Sequence, residues 1–244
     1  MAEIRQHLKN APLKEAIIDL RASVPDDFNS ERLLELVELL RDDYPKMRKQ
    51  RIMQAEFKLP SGKSDTTQLG TGVWLTSGDG KQIAQFRTDG FTVNRLRPYT
   101  SWRELFPEAL KLWEHYVNVT NVDHVSRVAV RYINRIDLPL RVDFDDYFTA
   151  PPKIPEGLPQ TLGAFLTRIV MVDEDTNTLA NVTQSLERGL DEKSVSVILD
   201  IDTYRQGQFS SDVAELTPIF EELHAFKNRI FFGFITEQTA QKYE

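Results

Sequence analysis

The sequence predicts an α+β fold in which antiparallel sheet meanders are joined by about three main helices. Period-two alternation of apolar and polar residues recurs along most of the chain, and helical periodicity is confined to a few segments. Long meanders separated by so few helices favour this class over a parallel, doubly wound sheet. Residues 13–22 open the pattern: Ala16, Ile18, Leu20 and Ala22 alternate with Glu15, Asp19 and Arg21, as in a half-buried strand. A helix follows, with Asn29 or Ser30 as its N-cap, Leu33, Leu36, Val37 and Leu40 as its apolar stripe, and Pro45 as its limit. Strands are expected near 53–59, 71–76, 82–88 and 91–96, punctuated by Gly78-Asp79-Gly80 and by Asp89-Gly90. The Asp-Gly pair, flanked by alternating apolar residues, is the strongest hairpin signal in the chain. A second helix should cover 102–118, with Ser101 and Glu104 as a capping box and Trp102, Leu105, Phe106, Ala109, Trp113 and Tyr116 facing inward. Pro107 then demands a kink or a later helix start.

The same order of elements is then met a second time. A strand over 125–138 precedes an acidic, aromatic patch (Asp143, Phe144, Asp145, Asp146, Tyr147 and Phe148) and a Pro-rich connector over 150–159. Strands near 164–172, 179–187 and 194–203 and a helix near 212–228 complete the pass. Opening strands and closing helices are each offset by roughly 110 residues, which suggests two pseudo-repeated halves, 11–120 and 121–235, inside a single domain spanning 1–244. The connector serves either as a linker between units or as a loop across one continuous sheet.

The most informative residues lie in the strand 125–138. Arg127, Arg131 and Arg135 are spaced by four, so period-two geometry puts all three on one sheet face, about 13 Å between neighbours. Val128, Val130, Tyr132, Ile136 and Leu138 form the opposite, core-facing surface, while Ala129 and Ile133 between the arginines suggest partial cover there too. A covered row of guanidinium groups needs anions. These are the chain's own carboxylates, an anionic small molecule, or a nucleic-acid backbone, with Arg87, Arg95 and Arg97 on the hairpin as additional contacts in the last case. Asp200 and Asp202 share one face of a later strand, which suits either a divalent metal or pairing with the arginine row. Asp143, Asp145 and Asp146 suit a solvated turn or helix start. The four histidines, His7, His115, His124 and His224, are dispersed, and His224 on an amphipathic helix suits a structural role better than ligation. Phe226, Phe231, Phe232 and Phe234 crowd into nine positions before Thr236, a candidate helix cap. One helix points only part of that set inward, so these rings are candidates for a self-association or partner surface as well as for the core.

Composition narrows the function classes. A net charge of −7 over 244 residues argues against broad nucleic-acid or anionic-membrane binding. The absence of cysteine excludes disulfides, thiolate catalysis and Cys-ligated metals and fits a reducing compartment. No stretch reads as a signal peptide or a membrane span, which gives a cytoplasmic expectation. The Walker, dinucleotide, His-Glu-x-x-His, EF-hand and Gly-x-Ser-x-Gly patterns are all absent, and no cofactor is expected.

The opening Ala11-Pro-Leu-Lys-Glu-Ala-Ile-Ile, the central Arg131-Tyr-Ile-Asn-Arg-Ile-Asp-Leu-Pro139, and Leu223-His224 followed by Phe232-Gly-Phe-Ile-Thr-Glu237 resemble a sporadically distributed family of uncharacterised prokaryotic proteins of about this size. The resemblance implies a prokaryotic source and a patchily distributed, defence-associated or mobile gene, and supplies no catalytic residues. Together the readings favour a non-enzymatic binding or interaction protein whose sheet faces a protein partner or anionic ligand. The alternative is a metal-dependent phosphohydrolase or nuclease using Asp200 and Asp202, with the arginines clamping phosphate.

Overall fold

The computed structural model describes residues 8–58, 63–99, 101–189 and 193–244, with backbone alone over 50–58 and 63–71. Its strands are β1 Leu13–Ser23, β2 Lys46–Lys58, β3 Lys63–Thr76, β4 Gln82–Arg87, β5 Gly90–Leu96, β6 His124–Pro139, β7 Leu166–Asp173, β8 Thr178–Arg188 and β9 Ser194–Phe209. They form a nine-stranded sheet in the order β2-β3-β4-β5-β1-β6-β9-β8-β7, with every neighbouring pair antiparallel. The helices are α1 Leu33–Leu39, α2 Trp102–Thr120, α3 Val213–Phe234 and α4 Glu237–Gln241. This is the α+β, antiparallel class that the alternation predicts. In each half the opening strand pairs with the last strand of its own meander, β1 with β5 and β6 with β9, and the halves join where β1 pairs with β6. The Pro-rich connector therefore links two strands of one sheet. The strand expected at 53–59 begins earlier, at Lys46, and its last expected position lies outside the described residues.

One sheet face is apolar and carries the helices. Ala16, Ile18 and Leu20 of β1, Phe86 of β4, Phe91 and Val93 of β5, and Val128 and Val130 of β6 are buried against α2 and the first half of α3. Trp113 and Tyr116 of α2 pack on Phe91 at 6.0 and 6.2 Å, and Trp113 Nε1 donates to the Ser211 carbonyl at 2.9 Å, so its polar end is not stranded. Beyond Tyr132 a second core begins, in which Ile136, Val182, Val197, Leu199 and Ile201 lie under Phe226, Ile230 and Phe231 of α3.

Local signals are met with informative exceptions. Asn29 Oδ1 caps a 3-10 turn, Ser30–Arg32, that leads into α1, accepting from Glu31 N–H at 3.0 Å. Asp143 caps a similar turn, Phe144–Asp146. Helix α2 starts at Trp102 and runs unbroken through Pro107, its sixth residue, where the missing N–H forfeits one bond near the first turn. Ser101 is the N-cap, but its side chain makes no cap bond; its carbonyl receives Leu105 N–H at 3.2 Å. Helix α3 likewise tolerates Pro218 at its sixth residue, with Asp212 as a side-chain cap at 2.8 Å. The Asp89-Gly90 hairpin is shifted by one position: Thr88 and Asp89 form the loop, and Gly90 is already in β5, paired with Arg87.

Gly90 is required by both conformation and space. Its φ is +144°, and a Cβ there would approach the Leu20 carbonyl oxygen to 2.1 Å. Gly90→Ala is expected to destabilise the protein on the order of 2–4 kcal/mol, read as a lower urea midpoint at constant m-value.

Candidate functional site

The sheet face opposite the helices carries the arginine row, and its neighbours explain how it is held. On an antiparallel sheet, residues directly opposite share a face, and β6 is flanked by β1 and β9. Asp19 of β1, opposite Ala129, and Asp202 of β9, opposite Arg131, share the face of Arg127 and lie diagonal to it: its guanidinium donates to Asp19 at 3.1 Å and to both Asp202 oxygens at 2.8 Å, and lies over the Tyr204 ring at 4.6 Å. Arg131 makes a two-point bond to Asp200, 2.9 Å from Nε and 2.6 Å from an Nη. Those bonds and the nearby Asp200, Asp202 and Glu15 charges raise its pKa above the ordinary arginine value. Arg135 donates to Asp137 at 3.0 Å and to Ser196 Oγ at 2.8 Å.

The pairing extends beyond the row. Asp19 also accepts from Thr92 at 2.6 Å and from Arg87, whose remaining contacts include Asp89 at 2.9 Å; Asp89 in turn holds Arg21 at 2.5 Å. On the other side Asn181 links Asp202 to Arg168 of β7. One polar network therefore crosses the sheet from β4 to β7. Exposure is the useful distinction within it: the Arg127, Asp19 and Asp202 side chains are 21, 16 and 19% exposed, whereas that of Arg131 is 45% exposed. A fully solvated ion pair contributes about 0–1 kcal/mol, but the half-dehydrated Arg127 cluster cannot lose one member without leaving its partners uncompensated.

The structure thus brings Arg127, Arg131, Asp200 and Asp202 together, with Arg135 farther along the same face. The hairpin arginines are dispersed: Arg87 joins the network, Arg95 pairs with Asp79 at 3.6 Å on the helix side, and Arg97 donates to the Leu13 carbonyl. Both candidate metal-binding aspartates have guanidinium partners, and among the described residues no group of three or more His, Asp or Glu is placed to hold a metal. Phe226 and Phe231 belong to the second core; Phe232 and Phe234 are half-buried beside it. The segment around Phe148 folds over this end of α3, bridging Ile235, and Thr236 caps α4 by accepting from Thr239 N–H at 3.2 Å. His7 lies outside the described residues.

Two features had no sequence signal. A cleft of about 490 Å³ opens beside the start of α2, where Tyr44 donates to Glu108 at 3.0 Å and accepts from Gln82 at 2.6 Å. A polar seam also separates the two cores. Lys227 of α3 is buried, with its ammonium 3.6 Å from the Tyr132 ring centroid and bonded to Asn228. The Tyr132 and Tyr99 hydroxyls meet at 2.5 Å, and His224 stacks on Trp102 at 4.3 Å. Burial pushes Lys227 down to about 7, and burial with the Lys227 charge pushes His224 down to about 3; burial pushes Tyr99 up to about 12. The i, i+3/i+4 spacing puts Lys227 on the buried stripe of α3, between Leu223 and Ile230, where a lysine is seldom found.

The buried amine has a testable pH signature. Its folded pKa of about 7 lies below the ordinary 10.5, so between these values the unfolded chain binds more protons and stability rises with pH. The cost of holding Lys227 is therefore greatest below about pH 7. Lys227→Met is expected to raise the melting temperature, most at pH 6 and progressively less towards pH 10; thermal denaturation across that range checks it, and a pH-independent gain or a loss contradicts it.

Compared with known proteins, the chain matches no protein-family model and no curated protein.

Proposed function

We propose that the protein is a non-enzymatic binding module of a prokaryote whose open sheet face docks a protein partner. The observation that carries this reading is the state of the arginine row: each guanidinium is already oriented by a carboxylate, and Arg131 keeps nearly half of its side chain accessible. A free phosphate-like anion would have to displace these carboxylates. A protein surface with charges of both signs can add to the network without dismantling it, and preorganised charges give such a surface specificity. The same pairing makes Asp200 and Asp202 poor metal ligands, which weighs against the phosphohydrolase reading. The family resemblance supports a defence-associated or mobile setting for the partner.

The test uses wild-type and Arg131→Glu proteins as baits in native-host lysate, with mass spectrometry of what each retains. A stoichiometric protein held by wild type and reduced at least about tenfold with Arg131→Glu, the variant being destabilised but still folded at the assay temperature, is the expected result. Equal retention by both baits contradicts the reading. So does a Mg²⁺- or Mn²⁺-dependent rise in melting temperature that the Asp200→Asn/Asp202→Asn protein lacks, which restores the metal-dependent alternative.

A further inference from the structure

The two edges of the sheet are built differently. β2 ends it with Lys46, Arg48 and Lys49 exposed and with a register shift at Ile52/Met53, devices that discourage the addition of another strand. β7 has neither. Its register with β8 is unbroken from Leu166 to Asp173, and Leu166, Ile169, Val170 and Val172 are 73, 46, 55 and 60% exposed. The Phe165 carbonyl accepts from Leu186 N–H, so the odd-numbered residues of this segment direct their backbone groups at β8. By the alternation of an antiparallel ladder, Leu166, Arg168, Val170 and Val172 direct theirs away from the sheet.

We propose that β7 pairs with β7 of a second copy of this chain, antiparallel about a two-fold axis at Met171. A two-fold extension continues each face into the same face of the other copy, so even-numbered residues meet even-numbered residues. Centring the pairing on Met171 sets Val170 opposite Val172 and Arg168 opposite Glu174, the first residue of the turn after β7, twice each. Centring it on Ile169 or Val170 leaves Arg168 opposite a valine, and the Val170 centre also sets Leu166 against Glu174. Charge complementarity thus selects one self-matching register, and this argues for a second copy over an unrelated strand. On the helix side, Ile169 of the second copy falls opposite Asp173, whose carboxylate Arg229 already holds at 2.8 Å, and comes over a depression of about 460 Å³ lined by Met171 and Phe226. The interface joins strand edges with few flanking contacts, below the roughly 1,000 Å² expected of a stable complex, so the dimer dissociates in about the micromolar range. The proposal is independent of the partner assigned to the open face.

Light scattering coupled to size exclusion, from about 5 to about 200 μM protein, provides the test. The wild-type mass is expected to rise towards that of a dimer. Val170→Lys/Val172→Lys, which alters only exposed side chains, is expected to stay monomeric at unchanged melting temperature. Arg168→Glu is expected to weaken the dimer about tenfold or more, and adding Glu174→Arg to restore it. A wild-type chain that is monomeric throughout overturns the proposal, including one that pairs only with a different protein. A dimer indifferent to the two lysines, or an absence of rescue by the exchanged charges, overturns it equally.

Discussion

The position of Arg127 between Asp19 and Asp202 is the interaction on which the rest of the molecule depends. β6 spans 16 residues, as long as β9, and its two neighbours come from different halves of the chain, β1 from the first and β9 from the second. One face of β6 builds both cores, through Val128 and Val130 in one and Ile136 and Leu138 in the other. Among the described residues no helix covers the opposite face, and its charges are neutralised within the sheet. Arg127 does this across three strands at once, and its fork geometry bridges two carboxylates where a lysine would offer a single point charge.

This arrangement shows how much of the fold was legible in the sequence. Period-two alternation located the strands because each has one apolar and one polar face, and the helices could be placed because α2 and α3 must present a broad apolar stripe. The shared face of Arg127, Arg131 and Arg135, and that of Asp200 and Asp202, followed from parity alone. Which aspartate meets which arginine did not, because that depends on the order of strands: Asp19 lies over a hundred positions from Arg127 and becomes its neighbour only because β1 pairs with β6. Arg95 was misplaced for a related reason. It shares a hairpin with Arg87 but has the opposite parity, so it points to the helix side and pairs with Asp79. Lys227 was illegible altogether, since composition places lysines at the surface and only the seam between the two cores explains a buried one.

That seam follows from the division of labour on β6. Tyr132 closes the first core, Ile136 opens the second, and Asn134 between them is buried with its amide donating to the Leu199 carbonyl at 3.1 Å. α3 mirrors the change, passing from Leu223 through Lys227 to Ile230. Polar groups at this level satisfy one another by ring stacking, a hydroxyl pair and a cation over an aromatic face, and they fix the register of α3 on the sheet more narrowly than apolar contact alone would.

The claim that the open face is neutralised from within is tested most directly by a double-mutant cycle on Arg127→Ala and Asp202→Ala, read by urea denaturation. The structure predicts that each single change destabilises and that the two are coupled by on the order of 1–2 kcal/mol, the double variant losing less than the sum. Additive losses, or a gain in stability from Asp202→Ala alone, would show that the pair is not what holds the arginine row in place.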